Sequence, residues 1–307
     1  MTCTRLQFLR AVCAAAVSAP AILNADTITS PLDIGGADIE LSFDPDGFDL
    51  KPEIIRAWVS RAARAVTRYY GVFPVSRMRV RVLSSNARTG VFHGTTWGGH
   101  PPFTRISVGR HTTEQELAAD WMMTHELVHT AFPDVPDEHH WIEEGIATYV
   151  EPVARVQTGE LTAQKIWTDM VNGMPHGEPQ PGDEGLDRTH TWGRTYWGGA
   201  LFCLVADVRI RQATSNQKGL QHALRDIRNA GGTIESDWPL EKALRIGDQA
   251  TATNVLTRLY AEMKDKPSPI DLDSLWKQLG VLTGTNPVSF DNNAPLSPIR
   301  QSITTAI

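Results

Sequence analysis

The sequence predicts an α+β protein, with a small mixed β-sheet in its N-terminal part and a mainly helical C-terminal part. Three observations predict it. Apolar and polar residues alternate in short segments ahead of residue 110. From Thr113 onward the apolar spacing is helical. The 307 residues, 41% hydrophobic and 21% charged, are enough for a packed core in one large domain or two modest ones. Strands gathered ahead of helices indicate α+β rather than an alternating α/β arrangement.

Residues 1–25 read as an export signal. Arg5 and Arg10 precede the apolar run AVCAAAVSAPAIL, and small residues stand before Asp26. The start TRLQFLR resembles a twin-arginine signal with Leu6 in place of the second arginine, so a Sec-type and a degenerate twin-arginine route both fit. Removing the segment takes the net charge from −6 to −8 and leaves Cys203 as the mature chain's one cysteine, which excludes an internal disulfide. Cys203 lies in an apolar helical stretch and reads as a packed small hydrophobe. The acidic balance argues against a general nucleic-acid binder. No run of about 18 apolar residues is present to span a membrane.

DIELSFD at 38–44 alternates and predicts a strand. Residues 51–70 place Ile54, Trp58, Ala62, Val66 and Tyr69 on one helical face, with Asp49 as a candidate cap and Pro52 suited to the first turn. RMRVRVL at 77–83 predicts a second strand. Gly90–Gly99 reads as a Gly-rich connector, and TRISVG at 104–109 as a strand whose free edge would be open to an extended substrate. His93, Trp97 and His100 in the connector are candidates to line a cleft. Residues 173–189, rich in Gly, Pro and acids, predict a rim loop or mobile connector. Later helices are expected at about 193–212, 216–229, 249–264 and 271–279. The organisation expected is a signal over 1–25, an α/β part over 26–155 and a mainly helical part over 156–307.

The chemistry concentrates in TTEQELAADWMMTHELVHTAF. Thr113 and Glu116 form a capping-box pattern that opens one helix, and Pro133 closes it. His125 and His129 in HELVH are one turn apart, so both imidazoles leave the same face and can reach one Zn²⁺ at about 2.0–2.1 Å. Glu126 is placed to hold a water and take its proton rather than to bind metal. A catalytic zinc needs a third protein ligand. Asp134, Asp137, Glu138, His139, His140, Glu143 and Glu144 all follow closely enough to supply it. The metzincin pattern of Gly and then His fails, because Phe132 and Val135 occupy those positions. A glutamate on a second helix fits: in DEHHWIEEGIATYVEP, Asp137 can cap, the apolar spacing is helical and Pro152 can end the helix.

WIEEGIATYVE resembles the W-x-x-E-G-x-A-x-Y signature of gluzincin metallopeptidases, above all the aminopeptidase-N and glycyl aminopeptidase families. The resemblance implies a thermolysin-like zincin catalytic domain with Zn²⁺ as cofactor and Glu144 as third ligand beside His125 and His129. It gives Glu151 the place of a further acid that could orient a zinc histidine. THTWGRTYWGGALFCLVADVRIR resembles a second segment of those families, in which a tyrosine donates to the oxyanion, and this implies that role for Tyr196. His190 and Arg194 are weaker candidates for the same task. The glutamate-containing motif that holds a free amino terminus in the aminopeptidases has no acid in the corresponding GTTWGGHPPFTRISVG, so endo- and aminopeptidase action both stay open. The expected function is therefore an exported, periplasmic or extracellular, zinc metallopeptidase acting on peptide or protein substrates with Glu126 as general base. The alternative is a catalytically inactive zincin that binds peptide or cell-wall material.

Overall fold

A computed structural model of the chain describes residues 28–305, and the expected signal over 1–25 lies outside the described residues. Strands β1 (Ile28–Ile34) and β2 (Ala37–Phe43) form an antiparallel hairpin. Its two-residue turn is Gly35–Gly36, with φ of 62° and 84°, a left-handed pair that only glycine adopts without strain. Helix α1 (Pro52–Tyr70) then crosses to β3 (Arg77–Ser85), which runs parallel to β2. Trp58, Ala62, Val66 and Tyr69 are buried, as their spacing predicts, whereas Ile54 is half-buried and its neighbour Ile55 is buried instead. Asp49 does not cap α1: Lys51 holds the cap position without a side-chain bond, and Asp49 pairs with His111 at 2.6 Å and Arg110 at 3.5 Å.

The Gly-rich connector is in fact a strand, β4 (Val91–Trp97), paired antiparallel with β5 (Phe103–Gly109). Sheet order is β1-β2-β3-β5-β4, so β5 is internal and the free edge expected of TRISVG belongs to β4. Gly94 and Thr96 share one face of β4, whereas His93 and Trp97 point to the other, since strand side chains alternate.

The single helix expected from Thr113 is broken. Helix α2 (Glu114–Ala119) opens with the predicted capping box between Thr113 and Glu116. Asp120 then leaves helical geometry at ψ 137°, and α3 (Met122–Val128) begins anew, ending in a 3₁₀ turn over His129–Ala131. The Asp120 carboxylate accepts from the backbone N–H of Met122 and Met123 at 2.9 and 3.1 Å, and from Trp58 Nε1 at 3.0 Å. It thus caps the second helix and ties it to α1.

Helix α4 (His140–Gln157) continues past Pro152, although the ring removes one backbone donor from its interior. Most of its last turns are buried, and that packing outweighs the lost bond. The remainder is helical: α5 (Ala163–Gly173), a π turn (Gly193–Gly198) running into α6 (Gly199–Ala213), α7 (Leu220–Asn229), α8 (Leu240–Thr251), α9 (Val255–Met263), α10 (Leu272–Leu279) and α11 (Ser297–Thr304), with a short hairpin between the last two. Helices α5 and α11, and all but the last turn of α8, lie outside the segments whose spacing predicts helix. Cys203 is buried, and burial pushes its thiol up, which suits a packed hydrophobe. No helix among the described residues is long and apolar enough to cross a membrane.

Residues 173–189 are fastened to the body. Asp187 accepts hydrogen bonds from Tyr260 Oη and Trp141 Nε1 at 2.8 Å and lies 3.0 Å from His139 Nδ1. Buried Asp183 pairs with Arg194 at 3.2 Å, and Arg194 also donates to the Gly177 carbonyl.

Candidate metal centre

Helix α3 and its 3₁₀ extension deliver His125 and His129, and α4 delivers Glu144. Glu144 Oε2 lies 3.1 Å from His125 Nε2 and 3.7 Å from His129 Nε2. One donor atom from each of the three residues falls within 4.8 Å of the others. The neighbouring Glu143 faces elsewhere, accepting from the Val135 N–H at 3.2 Å and lying 2.9 Å from His140 Nδ1. Adjacent helical residues point about 100° apart, so one of the two acids meets the imidazoles and the other does not.

The charge distribution fits a cation. Burial by itself pushes the Glu144 carboxyl up, but hydrogen bonds from His125 and His140 and the nearby imidazoles bring it well below the ordinary range. Its ion-pair partners among the described residues are all histidines, and hydrogen bonds to Glu143 and Glu144 raise one of them, His140, to about 10. Burial holds His129 below its usual value and hence in the neutral form that ligates metal. His125 Nδ1 is buried without a hydrogen-bond partner. Two imidazole nitrogens and a carboxylate are the donor types a catalytic zinc takes from protein.

Glu126 sits beside this group, buried against β4. Thr96 Oγ1 lies 2.9 Å from Glu126 Oε2 and 2.9 Å from its backbone carbonyl, and 2.8 Å from Thr104 Oγ1. Burial raises the Glu126 carboxyl, while His129 and the Thr96 hydrogen bond act in the opposite sense. Gly94 makes room: a Cβ there would stand 2.7 Å from Glu126 Oε1. Neither Gly94 nor Thr96 was singled out from the sequence, although the β-branched and aromatic content of VFHGTTW could have revealed the strand.

The π turn brings Tyr196 over His125, with rings stacked at 6.2 Å and 21°. Its approach is set by two glycines. A Cβ on Gly145 would lie 2.3 Å from Gly199 Cα, and one on Gly199 would lie 2.1 Å from the Trp141 carbonyl. Only bare backbone lets α4 and α6 come this close, which gives a physical reason for glycine after Glu144 and ahead of Ala200.

Several other candidate residues have partners of their own. Glu151 is buried and bonded to Arg155 Nη1 at 2.8 Å, and no hydrogen bond joins it to either histidine. Arg194 is buried and pairs with Asp183 at 3.2 Å. His93 and Trp97 face away from Glu126, and His100 pairs with Glu235 at 3.3 Å beyond the strand end. His190 is exposed and forms no hydrogen bond or ion pair among the described residues. His139, one of the possible third ligands, is bound to Asp187.

No family model matches the sequence, and no curated protein matches it. Solved structures do match in fold. One is an aminopeptidase N family protein from Idiomarina loihiensis, with TM-score 0.62 and 13% identity over 83% of this chain and 49% of that chain. Another is a two-domain M1 zinc metallopeptidase mutant bound to L-tryptophan, with TM-score 0.51 and 13% identity over 80% of this chain and 52% of that one. A third is a mutant M1 zinc metallopeptidase from Deinococcus radiodurans bound to a Tyr-Ser-Ala substrate, with TM-score 0.50 and 15% identity over 80% and 53%. The chain thus has a zincin-like fold of the aminopeptidase N type and spans about half the length of these structures.

Proposed function

We propose that this chain is an exported zinc-dependent metallopeptidase with a thermolysin-like catalytic domain. The observation that carries the reading is the meeting of buried His125 and Glu144 with half-buried His129 beside the Glu126 carboxylate. His125 and His129 as neutral imidazoles, with Glu144 as carboxylate, would hold Zn²⁺. Bound there, the ion supplies Lewis acidity, lowering the pKa of a water toward about 7 and polarising a peptide carbonyl. Glu126 takes the proton of the attacking water and passes it to the leaving amine nitrogen. Thr96 holds one of its oxygens in place. The Tyr196 hydroxyl donates to the carbonyl oxygen as negative charge develops on it.

The remaining elements belong to the same proposal. Residues 26–155 form the part that carries His125, Glu126, His129 and Glu144, and residues 156–307 the helical part that carries Tyr196. Residues 1–25 direct export, and N-terminal sequencing of the secreted protein should begin near Asp26. The chain between is the peptidase.

The decisive experiment measures zinc content and hydrolysis of mixed peptides together. The wild-type chain should bind one zinc per chain and show turnover that a chelator stops and zinc restores. Glu126→Gln should keep the zinc and lose the turnover. Absence of stoichiometric zinc, or full activity in that variant, would falsify the reading. Zinc binding with no turnover of any peptide would instead establish the inactive binder.

A further inference from the structure

Two tryptophans stand beside the metal centre with much of their surface in water. Trp121 is 49% exposed and Trp192 is 63% exposed. Both touch the rings of the site. Trp121, just ahead of α3, meets His125 edge-on at 5.4 Å. Trp192, just ahead of the π turn, stacks on Tyr196 at 6.2 Å and 28°. His176 meets the Trp192 ring at 6.0 Å.

Other indoles in the chain are occupied differently. Trp97, also exposed, is stacked on Phe103 at 5.7 Å and lies under Arg105 at 5.1 Å. Trp238 lies under Lys242 at 3.5 Å. No such cation covers Trp121 or Trp192 among the described residues. Each instead adjoins a ring of the proposed catalytic site, Trp121 that of His125 and Trp192 that of Tyr196, with His176 as a further neighbour of Trp192. An indole face left to solvent beside a site stacks best on another planar or bulky apolar group.

We propose that Trp121 and Trp192 are specificity-determining residues, and that the substrates are peptides carrying an aromatic or bulky aliphatic side chain next to the scissile bond. This rests on the peptidase reading above and deepens it by naming the substrate class. A peptide bond held over His125 and Tyr196 has its flanking side chains within reach of the two indoles. Stacking with the exposed faces then selects aromatic residues over glycine or charged residues.

The test uses the zinc-loaded full chain and quenched fluorescent peptides that differ only at the two residues flanking the cleaved bond. Phe and Leu are compared with Gly, Glu and Lys. The expected kcat/KM ratio of Phe to Gly peptides is about tenfold or more, the discrimination an apolar contact supplies. Trp192→Ala and Trp121→Ala, each checked for zinc content and melting temperature, should collapse that ratio toward unity. Trp192→Phe, which keeps a stacking face, should retain most of it. Equal cleavage of Phe and Gly peptides by wild type overturns the inference and leaves the peptidase reading standing. A ratio that survives in both alanine variants does the same. Absence of any zinc-restorable cleavage, across all peptides, removes both.

Discussion

Gly94 lies so close to Glu126 that a methyl group in place of its hydrogen would stand 2.7 Å from both Cγ and Oε1 of the acid. That is well inside van der Waals contact, so the carboxylate must move or β4 must give. A displacement of about 1 Å of a group in the reaction can cost on the order of 10²-fold in rate. Gly94→Ala should therefore lower kcat by about that factor while zinc content stays stoichiometric. Parallel measurement of zinc by atomic absorption and of peptide turnover checks this. A variant that keeps full activity would show that the position of Glu126 is unimportant.

Removing the metal should destabilise the fold. The proposed ligands come from α3 and α4, so a bound ion joins two helices through two imidazoles and a carboxylate. A ligand present at 100 times its Kd adds about 2.7 kcal/mol. Calorimetry with and without chelator should show a lower melting temperature for the stripped protein. In His125→Ala, the chelator should change little.

Gly145→Ala tests the crossing of α4 and α6. The new methyl would meet Gly199 Cα and C at 2.3 Å, and both are backbone that cannot rotate away. Overpacking of this kind costs about 1–3 kcal/mol or more. Urea denaturation should record the loss. Because Gly199 occupies the same contact, the costs of Gly145→Ala and Gly199→Ala should add to more than the cost of the double variant.

Glu151 predicts a pH dependence of stability. Burial pushes its carboxyl up to about 7 from a usual 4.5, against the pull of Arg155. The folded state therefore holds a proton that the unfolded state has released between those two values. Its contribution is complete below about pH 4.5 and is lost as pH rises to about 7, a change of about 2–3 kcal/mol. Glu151→Gln should flatten the stability profile in that window. Chemical denaturation at half-unit pH steps measures it, and an unchanged slope would place the carboxyl at its ordinary value.

The α+β arrangement was legible because strands and helices announce themselves by period, and the order of the periods is the fold class. His125 and His129 were legible because one helical turn fixes their relation locally. The distinction between Glu143 and Glu144 needed either a motif or the structure, since spacing on α4 alone leaves the facing direction open until α3 is placed against it. What stayed hidden was cross-chain. The Asp120 break looks like an ordinary polar residue in a helical run until Trp58 and two backbone donors converge on it. Strand β4 was masked by its glycine, and that glycine is there to clear Glu126. The pairings of Glu151 with Arg155 and of Arg194 with Asp183 were also hidden, because burial against an opposite charge leaves no trace in a linear sequence.

The backbone contact between Gly145 and Gly199 also acts as a hard stop. Neither residue has a rotamer to change, so repacking of neighbouring side chains cannot retune the gap between the two helices. Tyr196 is three residues before one glycine and Glu144 is one before the other. Their spacing is thus gauged by atomic radii rather than by side-chain shape. On the proposal that Trp192 contacts the substrate, its exchange would alter selectivity while that spacing stays the same.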